Sequence, residues 1–249
     1  MQPLWKARFH AEESTFSKSG RWHFPYRPAK LFLAEFAAKF YKPIARPMLE
    51  LQHFLIKERV AFMKTTDTYD IFDPETGKQV GVASEVIPAY VSILRLLLPK
   101  KLMPTKVEVR EHPEGALVFT IRKPVAFFRE TVEVYDAQDE KIGRFQSKLF
   151  VIGGGFWVYD QNDKQFAEVK GKWTGWEFRF VTPDGVELGQ VSKKWAGVLK
   201  ELFTSADNYI VSVADHLAEQ PIAKMLLLAA ALAIDIVYYE RGGAGVEID

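Results

Sequence analysis

Short segments in which apolar and polar residues alternate occupy most of the chain from about Leu51 onward. They are rich in Val, Phe, Tyr and Trp, which favour a pleated, half-buried strand. Alternation with a period of two places one set of side chains on each face of a sheet. We therefore predict a mainly β protein of about twelve strands. The segments are 53–59, 67–73, 78–84, 106–111, 116–122, 130–136, 140–147, 155–160, 164–170, 176–182, 186–192 and 207–213.

The last apolar stretch, residues 221–240 (PIAKMLLLAAALAIDIVYYE), has the composition of a helix. Ala, Leu and Met favour helices because they lose little side-chain freedom there. Pro221 suits a first turn, and Gly242 suits the end. Between Met225 and Tyr239 the only charged side chain is Asp235. A helix that is apolar all round is buried either in a protein core or in lipid.

Length and charge favour a protein core for this helix. The fifteen residues 225–239 span about 22 Å, whereas the hydrocarbon layer of a bilayer is roughly 30 Å thick. Asp235 near a bilayer centre costs about 2.5–3.5 kcal/mol. We predict that the strands enclose the helix, with Met225, Leu228 and Asp235 as its structural residues. A single membrane span is the alternative.

Four strand connections resemble one another. In each, a strand leads into a turn rich in Asp, Asn, Gly or Pro, and the next strand contains a small residue seven or eight positions after the first polar residue of the turn. Repeated hairpins of this kind predict a meander, the building unit of a barrel or a sandwich. The turn carboxylates invite a metal interpretation, but Asp and Asn more commonly bond their own backbone in turns. The pairs are Asp73 and Gly81, Asp136 and Gly143, Asp160 and Ala167, and Thr182 and Gly189.

Two other segments combine basic with apolar residues. Residues 29–42 predict a helix with an aromatic stripe that includes Phe32 and Phe36, and Lys30 and Lys39 lie off that stripe. Such a helix either lies on a membrane surface or docks on the body of the protein. Residues 88–104 hold a run of Leu beside three basic residues, and they either pack on the barrel or contact a membrane. The basic residues are Arg95, Lys100 and Lys101.

Charge is distributed unevenly along the 249 residues. The net charge is +1, which gives no reason to expect a nucleic-acid partner, but residues 1–50 carry nine Lys and Arg against four Glu. The absence of cysteine excludes disulfides, thiolate catalysis and S-palmitoylation. The five histidines show no ligand spacing, and no nucleophile motif is present. The sequence therefore predicts a protein that is not an enzyme.

The residues before and within the last helix resemble those of a known family. Residues 191–209 (VSKKWAGVLKELFTSADNY) are similar to a segment of phospholipid scramblases, and so is the Ala-rich closing helix with Ile234 and Asp235. Weaker similarity, including Arg122-Lys123-Pro124, extends back to about Leu49. The chain is thereby identified as a cysteine-free, bacterial-type member. The resemblance implies a tubby-like β-barrel around the helix and ATP-independent, often calcium-activated, movement of phospholipids between leaflets.

The segment that binds calcium in this family is altered here. Its first acidic position is Ser205, and its last falls on His216. The resemblance leaves Asp207, Asn208 and Asp215 as candidate ligands. Calcium binds six to eight oxygens, so these three supply too few for tight binding. We expect that no cofactor is required.

These observations lead to one organisation and two functions. Residues 1–48 are predicted to form a basic, aromatic extension with the helix 29–42, residues 49–241 the barrel with the central helix 221–240, and residues 242–249 a flexible tail. The first function is scrambling of phospholipids. The alternative is a tubby-like scaffold that binds anionic lipids without scrambling them. Either places the protein on the cytoplasmic face of a membrane, peripherally or through one span, and leaves its oligomeric state open.

Overall fold

The computed structural model describes residues 47–59, 67–87, 104–111, 115–125, 130–148, 155–172, 176–193 and 208–242. This part of the chain contains twelve strands, one α-helix and two 3₁₀ turns. The turns are Pro47–Glu50 and Asp215–Leu217, and the helix α1 is Pro221–Gly242. The strands are β1 (His53–Glu58), β2 (Thr68–Phe72), β3 (Gln79–Glu85), β4 (Thr105–Arg110), β5 (Leu117–Lys123), β6 (Thr131–Asp136), β7 (Lys141–Ser147), β8 (Phe156–Asp160), β9 (Gln165–Lys172), β10 (Glu177–Val181), β11 (Glu187–Ser192) and β12 (Asn208–Val213).

The strands form one closed antiparallel barrel in which each strand pairs with its neighbours in sequence. The last strand, β12, pairs with β1 and closes the sheet, with Phe54 opposite Val211 and Ile56 opposite Tyr209. Closure removes the unpaired strand edges that would otherwise be available for pairing with another chain.

The helix α1 occupies the interior of this barrel. Every α1 residue from Ile222 to Ile236 is buried, and inward-facing strand residues such as Phe119, Val134 and Phe145 complete the same core. A barrel wider than about eight strands leaves a lumen, and a helix about 10–12 Å in diameter fills it here. The prediction of a mainly β protein, with about twelve barrel strands around a buried C-terminal helix, is confirmed.

The four similar connections are equivalent hairpins. In each, the strand register shifts by one residue directly before the turn, as between Val134 and Tyr135. The small residue of the second strand then faces inward. A Cβ atom on Gly143 would lie 3.0 Å from Leu226, and one on Gly189 would lie 3.0 Å from Leu227. The repeat therefore places small residues where the wall approaches α1.

The turn carboxylates in these hairpins bond their own backbone. Asp136 Oδ1 accepts hydrogen bonds from the backbone N–H groups of Gln138 and Glu140, both at 2.9 Å. Asp160 Oδ1 accepts two corresponding bonds at 2.8 Å. These bonds agree with a turn-forming role for the two side chains.

A buried lysine joins the first turn of α1 to the chain that precedes β1. Lys224 is 1% exposed, and its Nζ donates to the carbonyl oxygens of Leu49, at 2.7 Å, and Glu50, at 3.3 Å. Burial lowers the pKa of Lys224. The contact links residues that are far apart in sequence at one end of the barrel.

Several predicted segments lie outside the described residues. They are the extension before Pro47 with the helix 29–42, most of the segment 88–104, and the tail beyond Gly242. The proposed domain boundaries stay predictions.

Candidate functional site

The barrel interior is the first place to look for a lipid path, and it is filled. Met225 and Leu228 are at most 2% exposed and Asp235 is 5% exposed, so these predicted structural residues lie in the core. A cavity of about 20 Å³ remains between α1 and the strands β7–β11, with an apolar lining that includes Phe145 and Leu226. One water needs roughly 10–15 Å³ on this measure. The described interior therefore has no room for a lipid molecule.

One polar cluster interrupts the apolar interior. Asp235 on α1 accepts a hydrogen bond from Tyr69 on β2. Tyr209 on β12 is also buried, and its hydroxyl has no hydrogen-bond partner in the described part of the chain. The Tyr209 ring stacks on Trp176, with the centroids 5.3 Å apart. Lys193 Nζ lies 4.4 Å from the centroid of the Trp176 ring.

Burial dominates the ionisation of this cluster. Desolvation raises the pKa of Asp235 to about 6, the negative charges of Glu58 and Asp67 raise it further, and the Tyr69 hydrogen bond opposes the rise. Desolvation and the nearby Asp235 charge also raise the pKa values of Tyr69 and Tyr209. Asp235 is thus a buried carboxyl group that changes charge close to neutral pH.

The outer wall of strands β5–β9 carries basic side chains in a repeated arrangement. Each basic group lies over an aromatic ring and pairs with a carboxylate. The Arg144 Cζ atom is 3.7 Å from the Tyr159 ring centroid, and Nε is 2.7 Å from Asp163. Lys148 Nζ is 4.0 Å from the Trp157 ring centroid and 2.6 Å from Glu168. Arg122 contacts Tyr135 and Asp139 in the same way.

These pairs satisfy the basic groups within the wall itself. A hydrogen bond from Arg144, aided by the charge of Lys141, lowers the pKa of Asp163. Burial pushes the pKa of Glu168 upward, but hydrogen bonds from Lys148 and Lys170 outweigh it and lower the pKa. A phosphate group would have to displace these carboxylates to bind Arg144 or Lys148. The paired wall is therefore a weaker anion site than its basic residues alone suggest.

The predicted lipid-contact residues cannot be compared with this wall. All seven lie outside the described residues, so their role stays a prediction. They are Lys30, Phe32, Phe36, Lys39, Arg95, Lys100 and Lys101.

The structure separates two of the three candidate calcium ligands. Asn208 begins β12 and is buried, whereas Asp215 follows the end of that strand. Seven residues at roughly 3.3 Å each place them about 23 Å apart, too far for one ion. Asp207 lies outside the described residues. Within the described ranges, no three His, Asp or Glu side chains converge in a way that could hold a metal ion.

Sequence reasoning missed the partners of the two buried charges on α1. Tyr69 and Tyr209 are inward positions of their strands, which alternation could have shown, but only the closed barrel brings β2 and β12 to either side of β1. The bond from Lys224 to Leu49 spans 175 positions in the chain and has no sequence signal.

These features define a helix-filled antiparallel barrel with a charge-paired outer wall. The chain belongs to the scramblase family, whose family model, described as "Scramblase", matches residues 52–241. Membership supports a lipid-related role. No curated protein sequence matches the chain.

A solved structure offers a more distant comparison. The crystal structure of a protein from Arabidopsis thaliana has a TM-score of 0.40 and 13% sequence identity to this chain. The match covers 73% of this chain and 91% of that one, and it is too distant to support a conclusion about function. Among the described helices, none combines the length and hydropathy required to cross a membrane.

Proposed function

We propose that the protein binds the surface of phospholipid membranes and keeps α1 inside its barrel while it does so. The enclosure of α1 from Ile222 to Ile236 is the observation that carries this proposal. Transfer of the helix to lipid would strip the inner wall of its packing partner. It would also bring Asp235 and Lys224 toward hydrocarbon, where a charged side chain near the centre costs about 2.5–3.5 kcal/mol.

The attraction to the membrane is assigned to the basic N-terminal segment. Residues 1–50 have a net charge of +5, whereas the remainder has a net charge of −4. Each basic side chain near an anionic surface contributes roughly 1 kcal/mol. Arg144 and Lys148 contribute less because carboxylates already neutralise them. Anionic phospholipids are thus the proposed partner, on the cytoplasmic face of a membrane.

Scrambling of phospholipids is the second candidate, and family membership favours it. Movement down a gradient needs neither ATP nor a catalytic group, so we propose a non-enzymatic protein without a required cofactor. Because α1 fills the interior, lipids would move along the outside of the barrel. The same geometry accommodates a protein that binds lipid without scrambling it.

One reconstitution distinguishes the two candidates. The full chain is mixed with preformed anionic vesicles for flotation, and it is also reconstituted with a fluorescent lipid for quenching by an impermeant reagent, with and without calcium. Flotation that is reversed by salt, with quenching that stops at the outer-leaflet half, supports surface binding alone. Quenching beyond half supports scrambling. Failure to float at low salt would overturn the binding proposal.

A pair of charge variants tests which segment binds. Lys30→Gln with Lys39→Gln should weaken flotation. The matched control, Lys170→Gln with Arg179→Gln, removes two exposed basic groups from the barrel, where they pair with Glu168 and Glu187. We expect little change in the control. Equal losses in both variants would contradict the assignment to the N-terminal segment.

A further inference from the structure

The buried carboxyl of Asp235 is unusual in its surroundings. It lies on α1 and is 5% exposed, at the section of wall formed by β12, β1 and β2. The charged and titratable groups that act on it come from each neighbouring element. Glu58 ends β1, Asp67 precedes β2, Tyr69 is on β2, Tyr209 is on β12 and Lys193 follows β11.

The hydrogen bonds are incomplete while Asp235 is ionised. The carboxylate accepts a hydrogen bond from Tyr69, but it cannot donate one. The Tyr209 hydroxyl, which is 1% exposed, has no partner in the described part of the chain. An unpartnered buried polar group destabilises a fold. A protonated Asp235 gains an O–H group, and the Tyr209 oxygen is an acceptor for it.

We propose that Asp235 is a protonation switch that sets how firmly the C-terminal half of α1 is held in the barrel. Protonated, it bridges Tyr69 on β2 and Tyr209 on β12. Ionised, it is a buried anion that faces Glu58 and Asp67, and this part of α1 opens more readily. This inference concerns the barrel itself and does not depend on the proposed function.

The direction of the pH effect follows from the raised pKa. The folded state holds the Asp235 proton up to about pH 6, whereas an unfolded Asp loses it near pH 3.8. A raised folded-state pKa means that the folded state binds more protons between these values, so stability increases as the pH falls through 6. From pH 5 to pH 7.5, the unfolding equilibrium constant should rise about tenfold from this group.

The test measures unfolding between pH 5 and pH 7.5 and compares variants. Asp235→Asn is nearly isosteric and permanently uncharged, so it should abolish the tenfold rise and be more stable than the wild type at pH 7.5. Asp163→Asn is the matched control. Its carboxyl is exposed and has a lowered pKa, so it does not titrate in this window and should leave the rise intact. Tyr209→Phe should reduce the stabilisation at pH 5.

Two further measurements locate the effect. Hydrogen exchange of the α1 amides, corrected for the intrinsic pH dependence, should show greater opening near Asp235 at pH 7.5 than at pH 5. Carboxyl carbon NMR of Asp-labelled wild-type protein should show one carboxyl that titrates near pH 6, which keeps the test valid if Asp235→Asn fails to fold. No such titration, or a pH dependence unchanged in Asp235→Asn, would overturn the proposal.

Discussion

Leu228→Ala tests whether α1 is a structural core or a segment that belongs in lipid. Leu228 is 0% exposed and lies midway along the buried part of the helix. Truncation of a buried Leu to Ala costs about 2.7–5.0 kcal/mol, because the transfer energy is lost and a cavity remains. A domain of this size loses roughly 2–4 °C in Tm per kcal/mol, so the Tm should fall by about 5–20 °C.

The assay is thermal unfolding by circular dichroism in detergent-free buffer, supported by urea titration. Val125→Ala serves as the control, since Val125 is 43% exposed and its truncation should change stability by less than about 0.5 kcal/mol. A Tm for Leu228→Ala that equals that of the control would refute the enclosure of α1 as a source of stability. Repetition in the presence of vesicles tests whether the dependence on Leu228 persists at a membrane.

Two other substitutions probe the fit of α1 in the barrel. Gly189→Val should cost about 1–3 kcal/mol, because its Cβ would lie 2.5 Å from the Ser212 carbonyl oxygen and 3.0 Å from Leu227. Urea midpoints should place Gly189→Ala between the wild type and Gly189→Val, and equal midpoints would show that the wall yields freely. Lys224→Met removes the donor to the Leu49 carbonyl and should cost about 1–3 kcal/mol in the same assay, whereas a gain in stability would contradict an anchoring role.

The two buried charges of α1 act at separate positions along the barrel. Lys224 and Asp235 are eleven residues apart, which is about 16 Å along a helix. Lys224 binds neutral carbonyl groups, and Asp235 binds Tyr69. Their contacts constrain α1 near its start and in its later turns, in addition to the apolar packing between them.

Most of the fold could be predicted from local patterns. A period of two identified twelve strands, and the continuous apolar run with Asp235 identified the one buried helix. The repeated small residues were recognised as well, although their purpose was not. Gly143 and Gly189 face Leu226 and Leu227, so the repeat records the approach of α1 to the wall. Such patterns are readable because each strand and helix buries one set of its own side chains.

The candidate sites depended on contacts between distant parts of the chain. Nothing in the sequence pairs Asp235 with Tyr69, or Lys224 with Leu49. The separation of Asn208 from Asp215 became apparent only once the strand between them was known to be extended. The lipid-contact residues before Pro47 and within 88–104 stay predictions.

The sequence by itself determined which residues are strands, which stretch is a helix, and that one carboxyl had to be buried with it. Only the tertiary structure decided what surrounds that carboxyl and which basic residues are already neutralised. The physical reason is that periodicity reports burial along one element, whereas hydrogen bonds and ion pairs depend on strand register and barrel closure. Those bring together residues that local sequence does not relate.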